Sequence, residues 1–412
     1  MRRVLVLGCG AQGRAALHEL ALGAEPVRVT VADRDAAVFE TARQYDPERV
    51  TATTLDATDE TRTAALMRDA DVVIEALPGP LALPMARMAA ECGVSLVSSM
   101  YLRDPQERDA ERIAATERAI GTLAAAARQK GCSILPEFGL DPGLDLVLGV
   151  HALRELDEVH EFRSYGAGLP GVGARDNPLG YRFSWSPLGV MRSYRRPATI
   201  IRGGKAEVID ADALFEPERL HLVEVPAIGA PMECYPNGDA VHYAELFGVR
   251  DAVREMARYT GRLPGHSAFW NVMVKSGFLG SAPIDVDGAA VRPIEFTAAL
   301  LAGQPQFQFG ERDEDLAWIR VDVRGKRKGR GVRVVYDLVD RRDFTSGLTA
   351  MQRTVGFTLA TGARLLMDGS LGRVGLLSPL DVPYEKVFPA LERHGIAVTR
   401  SEWPRRGESG RN

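Results

Sequence analysis

Over residues 1–136 the chain alternates between two kinds of apolar pattern. Short runs rich in Val, Ile and Leu fall at residues 4–7, 27–32, 50–55, 71–76, 95–99 and 132–136. They are too short for helices, and the pattern predicts buried strands. Between them apolar residues recur at helical spacing, at residues 14–22, 36–45, 61–68, 81–92 and the alanine-rich 105–130; these predict helices. Thr58 or Asp59 can cap the helix at 61–68. Leu77-Pro78-Gly79-Pro80 interrupts regular structure. Strands and helices in strict alternation predict an α/β domain with a doubly wound parallel sheet.

The pattern changes near residue 159. Alternating stretches at 160–165, 199–202 and 208–209 lie between loops rich in Gly and Pro. Residues 318–323 and 332–338 read as an antiparallel hairpin around a solvated basic turn, 324–330. Residues 145–344 are therefore expected to form a second, mixed α+β domain with an antiparallel sheet. Ser346 can cap a helix over 347–367, ended by Gly369, which returns the chain to the first domain. That domain would comprise 1–144 and 345–378. Residues 379–412 would add a helix at 381–394 and a polar, disordered tail at 405–412.

The first strand runs straight into Gly8-Cys9-Gly10-Ala11-Gln12-Gly13. A Gly-x-Gly-x-x-Gly between strand and helix is the context of a dinucleotide-binding Rossmann fold. Gly8 permits the turn, Gly10 lets backbone approach a pyrophosphate, and Gly13 lets helix and strand pack closely. The N–H groups of this turn, Ala11 and Gln12 included, would hold the phosphates. Asp33 ends the second strand, placed to accept from the adenosine ribose, which favours NAD; the adjacent Arg34 leaves NADP open. Asp56, in Leu55-Asp56-Ala57-Thr58-Asp59, suits the adenine edge. Leu77 and Pro78, beyond the fourth strand, suit the nicotinamide end.

Composition adds little to this picture. The 412 residues carry a net charge of −4, with 45% hydrophobic and 26% charged residues. Neither nucleic acid nor an anionic membrane is an expected partner. The length suits two domains, and no apolar run is long enough to span a membrane. Strand formation almost at Met1 leaves no signal peptide to expect. The four cysteines are scattered, so neither a disulfide framework nor a zinc site is expected, and no metal is assigned. A reduced, cytoplasmic protein fits.

Several segments carry a more specific likeness. They are Glu137 to Asp145, with Gly139-Leu140-Asp141-Pro142-Gly143; Ser164-Tyr165-Gly166-Ala167-Gly168-Leu169-Pro170; and Asp176-Asn177-Pro178-Leu179-Gly180-Tyr181-Arg182-Phe183-Ser184-Trp185. Tyr235-Pro236-Asn237 and Tyr259-Thr260-Gly261-Arg262 follow. Together they resemble the saccharopine dehydrogenase family, its L-glutamate-forming reductases above all, over essentially the whole chain. The resemblance implies a nicotinamide-dependent oxidoreductase of CH–NH bonds. It would join an amino acid to an aldehyde or keto acid through an imine, and work as a homodimer. Two positions depart from the family pattern: Gly166 stands where a cysteine is usual and Gly238 where a basic residue is usual. A related amine substrate therefore stays open, as in lysine 6-dehydrogenase-like or carboxynorspermidine dehydrogenase-like enzymes. So does a nucleotide sensor without turnover.

By the same resemblance, Asp141 and Tyr101 are the expected catalytic groups. Each is also a residue that can exchange a proton near an imine. Arg262, whose planar fork suits a carboxylate, is expected to bind substrate with Thr260, Asn177, Arg182 and Asn237. Glu137 reads as a loop carboxylate, and His242 and His266 as structural or exposed histidines.

Overall fold

The computed structural model describes residues 1–105 and 107–404. They form two compact units, residues 1–147 with 352–396 and residues 148–351 with the segment from 397 onward. The first unit begins with β1 (Arg2–Leu7), α1 (Ala11–Leu22), β2 (Val27–Asp33), α2 (Ala37–Ala42), β3 (Val50–Thr54) and α3 (Glu60–Arg68). It continues with β4 (Val72–Glu75), α4 (Ala82–Cys92), β5 (Ser95–Ser98), α5 (Ala110–Lys130) and β6 (Ser133–Leu135). The order β6-β5-β4-β1-β2-β3 is parallel throughout, a doubly wound sheet. Its central strands carry continuous apolar stretches, as a sheet covered on both faces requires, and every residue of β4 is buried. Asp59 caps α3 by accepting from the Arg62 N–H at 3.1 Å. The helix expected from residue 105 starts at Ala110 instead, because the Asp109 carboxylate takes the Glu111 and Arg112 N–H groups.

Helix α6 (Leu144–Leu153) carries the chain into the second unit. There follow β7 (Glu158–Pro170), α7 (Pro187–Ser193), β8 (Ala198–Arg202), β9 (Lys205–Ile209), β10 (His221–Val225) and β11 (Ala230–Pro236). Next come α8 (Ala240–Leu246), β12 (Glu255–Arg262), α9 (His266–Lys275), β13 (Ile284–Val286), β14 (Ala289–Val291) and α10 (Pro293–Ala302). The long hairpin β15 (Asp315–Arg327) and β16 (Arg330–Arg341) completes the run. The main sheet has the order β10-β11-β12-β7-β15-β16, parallel at β12–β7 and otherwise antiparallel. The expected basic turn is mostly strand: pairing continues to Arg327 and resumes at Arg330, leaving only Lys328-Gly329 at the tip. Cross-strand acids make this tolerable. Arg324 lies 3.3 Å from Glu161, and Lys326 lies 2.8 Å from Glu158.

The chain then returns to the first unit with α11 (Ala350–Met367), β17 (Gly375–Leu376) and α12 (Tyr384–Glu392). β17 adds a seventh parallel strand beside β6. The cap expected from Ser346 is supplied instead by Asp315 of β15, which accepts from Ala350 N–H at 2.8 Å and Met351 N–H at 3.3 Å. Farther along α11, a Cβ on Gly356 would meet the Ala15 Cβ at 2.5 Å, so glycine is what lets this helix lie against α1. Arg364 reaches the buried Glu19 at 3.2 Å and fixes the same contact. The last strand, β18 (Val398–Pro404), pairs antiparallel with β16 in the second unit's sheet. It lies where only a tail is expected from the sequence. The tail itself, 405–412, lies outside the described residues.

Candidate active site

The glycine turn is shaped by three different constraints. Gly8 has φ 91°, and a Cβ there would meet the Ala76 carbonyl oxygen at 2.6 Å. A Cβ on Gly13 would lie 1.9 Å from the Gly8 carbonyl oxygen, so the helix can approach the strand only without one. Gly10 is the opposite case. It is exposed, and no protein atom lies within 4 Å of where its Cβ would stand. Gly10 is also the N-cap of α1, with no side chain satisfying the first turn. Free N–H groups facing open space at a helix start suit a pyrophosphate. The residues present therefore fit a dinucleotide.

Asp33 closes this turn onto β2. Its carboxylate accepts from the Cys9 N–H at 2.6 Å and from the Asp35 N–H at 2.9 Å. Both oxygens are thus engaged by backbone. Arg34, beside it, is exposed. Asp56 is held below the usual carboxylate range, first by the Thr58 hydroxyl and N–H, with the Arg34 charge adding to them. Arg34 and Asp56 therefore stand close together on the adenosine side.

The other end of the sheet's carboxyl edge is organised by a residue the sequence reading does not single out. Glu75, the last residue of β4, is fully buried. It accepts from the Leu77 N–H at 2.7 Å and from the Ser98 hydroxyl of β5. Ser98 Oγ in turn accepts from the Met100 N–H at 3.0 Å. The Glu137 N–H donates to the Met100 carbonyl at 3.1 Å, and the Phe138 N–H to the Ser98 carbonyl at 2.8 Å. One carboxylate therefore ties together the loops after β4, β5 and β6, which carry Leu77-Pro78, Tyr101 and Asp141. Burial pushes the Glu75 carboxyl up to about 7, against the bonds from Ser98 and Leu77. A single Glu at the end of an apolar run carries no local signal of this role.

Asp141 is exposed at the tip of a tight loop. Gly139 and Gly143 close the loop: a Cβ on Gly143 would lie 2.2 Å from the Gly139 oxygen. Inside it, the Gly139 N–H donates to the Pro142 carbonyl at 3.1 Å and the Gly143 N–H to the buried Asp145 at 2.9 Å. Tyr101 is half-buried two residues beyond Ser99, and Glu137 has φ 58°.

In the second unit the expected substrate residues divide. Asn177 and Arg182 are buried, and their polar groups are spent on their own loop and on the distant 306–313 stretch. Asn177 donates to the Tyr181 and Gln306 carbonyls, at 2.9 and 3.0 Å, and accepts from Leu179 and Tyr181. Arg182 is held by Asp176 at 2.7 Å, Asp313 at 2.9 Å and the Ala174 carbonyl at 2.9 Å. These two residues shape the loop rather than offering free groups. Asn237 is half-buried, its N–H bonded to the Arg258 carbonyl at 2.8 Å, and Thr260 hydrogen-bonds the Tyr235 phenol. The guanidinium of Arg258 lies 4.2 Å from the Tyr243 ring centre and borders Gly238. Arg262 is different. It is 5% exposed and its guanidinium lies 5.1 Å from the Tyr181 ring centre. No carboxylate pairs with it among the described residues.

Comparison with known proteins agrees with this layout. Residues 4–135 match the family model "Saccharopine dehydrogenase NADP binding domain", and residues 139–396 match "Saccharopine dehydrogenase C-terminal domain". The chain is 26% identical to the mitochondrial alpha-aminoadipic semialdehyde synthase of Rattus norvegicus, over 95% of this chain and 46% of that protein. It is 29% identical to saccharopine dehydrogenase [NADP(+), L-glutamate-forming] of Saccharomyces cerevisiae, over 73% of this chain and 63% of that one. The chain thus spans about half the length of the mammalian relatives it matches. Among solved structures, apo saccharopine dehydrogenase (L-Glu forming) from Saccharomyces cerevisiae superposes with a TM-score of 0.81 at 24% identity, covering 98% of this chain and 100% of that one. Homospermidine synthase from Legionella pneumophila, in complex with NAD, gives 0.66 at 11% identity, covering 100% of this chain and 94% of that one. The NADP-binding description runs against the preference for NAD read from Asp33. The two matched ranges include the glycine turn, the Asp141 loop and the Arg262 strand just described, and the chain belongs to the saccharopine dehydrogenase family.

Proposed function

We propose that the chain is an NADP-dependent oxidoreductase that makes or breaks the CH–NH bond of a saccharopine-like secondary amine. One observation carries the reading: the open space over Gly10 at an uncapped helix start, on the sheet edge that also carries Asp141. The turn from Gly8 to Gly13 holds the pyrophosphate through backbone N–H groups. Asp33 is already engaged by two N–H donors, so less of its charge opposes a 2′-phosphate, and Arg34 supplies a cation for it. Asp56 flanks the adenine side, while Leu77 and Pro78 border the nicotinamide.

A nicotinamide coenzyme bound there supplies or accepts hydride at the carbon beside the amine nitrogen. The protein positions the groups and moves protons. Asp141, at the exposed tip of a rigid loop, takes the proton from water adding to the imine and returns it in the opposite direction. The Tyr101 hydroxyl donates to the oxygen that leaves or enters. In the second unit Arg262, with Thr260 and Asn237 near it on β11 and β12, serves the acid end of the substrate. Asn177 and Arg182 keep the adjoining loop in shape.

A homodimer belongs to the same reading. Among the described residues the hairpin β13–β14 pairs with no other strand, and it exposes Ile284 and Val286; Phe296 and Leu300 of α10 are exposed close by in sequence. A lone two-strand hairpin gains stability from a partner surface. The four free thiols suit a reducing compartment such as the cytoplasm. The test is NADPH and NADH oxidation with paired amines and aldehydes or keto acids. Turnover with NADPH and an amino-acid pair supports the reading. Tight coenzyme binding without turnover on any pair would turn it into a sensor.

A further inference from the structure

The interior of the second unit holds a knot of polar groups that the protein leaves unanswered. Arg262 carries its charge into an aromatic core formed by Tyr181, Tyr194, Tyr235 and Trp270. Tyr194 hydrogen-bonds both Arg262 and, at 2.9 Å, Nε2 of His266. His266 is 1% exposed, and burial, then the nearby Arg262 charge, push it well below its ordinary range, so it is neutral at pH 7. With Tyr194 donating to Nε2, the ring proton sits on Nδ1. That Nδ1 has no partner among the described residues. Nor do Arg262 Nε, Tyr181 Oη, Ser267 Oγ and Trp270 Nε1, all on buried residues.

Such clustering is not what a core tolerates by default. Buried polar groups are nearly always hydrogen-bonded, and a buried cation is nearly always paired. Here five orphaned groups that can donate belong to residues packed together. The His266 and Tyr181 ring centres lie 5.2 Å apart, and those of Tyr194 and Trp270 4.8 Å. His266, Ser267 and Trp270 share one side of α9 by their spacing, and Asn271 continues it. Asn271 Oδ1 is the matching orphaned acceptor. Glu233 is engaged by the start of this helix, one oxygen accepting from the Ser267 N–H at 2.9 Å and the other from the Gly265 N–H at 3.4 Å.

We propose that this cluster of orphaned groups lines a chamber that is the subsite for one α-amino-acid end of the substrate. The carboxylate sits on Arg262 with the Tyr181, Ser267 and Trp270 donors, and the ammonium faces Asn271 Oδ1. The loop signature then has a purpose: Asn177 and Arg182 hold the turn that lays Tyr181 over Arg262. This deepens the oxidoreductase reading and rests on it for the substrate class.

The test is calorimetric titration of the whole protein with L-glutamate, L-lysine and formate, with and without NADPH. One of the two amino acids binds wild type, and formate competes weakly. Tyr181→Phe removes one orphaned hydroxyl with little risk to folding, and its affinity falls about tenfold or more, as for a lost bond to a charged group. Arg262→Met abolishes binding while the melting temperature without ligand holds or rises, since an unpaired buried charge is gone. Amino-acid binding by Tyr181→Phe and Arg262→Met equal to wild type overturns the proposal, as does uptake of formate alone. NADPH is titrated separately. Coenzyme binding without amino-acid binding removes the chamber and leaves the nucleotide reading standing; no coenzyme binding removes that reading instead.

Discussion

Glu75 shows how one side chain can set a site without touching a ligand. Its carboxyl stands at about 7 in the folded protein against 4.5 for an ordinary glutamate, with burial the first cause. A raised acid pKa means that the native state holds the proton more tightly than the unfolded chain. Stability is therefore fullest below about pH 4.5, falls as the pH climbs to about 7, and is level above that. Glu75→Gln keeps an acceptor for Leu77 and a donor for Ser98, yet carries no charge. Its melting temperature is expected to equal that of wild type near pH 5 and to exceed it at pH 8, by a free energy on the order of 3 kcal/mol or less. A parallel pH series of melts on both proteins checks this; equal curves at pH 8 would show the carboxylate to be harmless there. Asp141→Asn is expected to slow turnover by about a hundredfold or more, with coenzyme affinity near wild type, since the proposed proton-transfer group is lost and the fold is not. Steady-state rates set beside coenzyme titration separate the two. Asp141 was reached only through the family resemblance, whereas the glycine turn was legible because its geometry forces residue type and spacing. Glu75 was not, because its partners are strand ends far off in sequence.

At the scale of elements, continuous apolar runs made the parallel strands easy to recognise, and the same rule failed where strands lean on small or charged residues. β7 runs through Ser164 to Pro170, with glycines at 166 and 168 that look like loop; a Cβ on Gly168 would meet Ser184 Oγ at 2.5 Å, so packing demands the small residue. The Arg324–Arg327 stretch looks like a solvated turn until its cross-strand acids are in view. The cap of α11 was misread for the same reason, since the capping Asp315 lies on another strand, 35 residues before Ala350. Asp315→Ala leaves two N–H groups without their acceptor and is expected to lower stability by about 1–3 kcal/mol, whereas Asp315→Asn keeps an acceptor and costs less. Chemical denaturation of the two variants gives the order; Asp315→Ala as stable as Asp315→Asn would mean that the cap contributes little. The buried loop residues Asn177 and Arg182 belong here too. Their chemistry suggested a ligand, and their partners show a brace.

For the molecule as a whole, the parallel sheet with a mixed-sheet second unit follows from the change of period near residue 159. What the pattern concealed was β18, whose polar sequence Val-Thr-Arg-Ser-Glu-Trp-Pro gives no core face. It is bound to β16 by backbone pairing, and ion pairs tie it to other neighbours: Arg400 to Glu155, which follows α6, at 2.5 Å, and Glu402 to Arg327 of β15 at 2.9 Å. Deleting residues 398–404 bares the β16 edge, an open template for pairing between molecules. The truncated protein is expected to aggregate at concentrations where the full chain stays dispersed. Light scattering during a slow temperature ramp reads this, and identical onset for both chains would show the edge to be protected by other means.

The passage of the chain out of the first unit and back again has a consequence during synthesis. The nucleotide-binding unit lacks α11 until residues 148–351 of the second unit have emerged, so the face of α1 that receives Gly356 waits uncovered. At about 5–20 residues per second the ribosome takes roughly 10–40 s to add the roughly two hundred residues between them. Throughout that interval the nascent amino-terminal sheet presents sticky surface to the cell, and holdase chaperones have their best opportunity to engage it there.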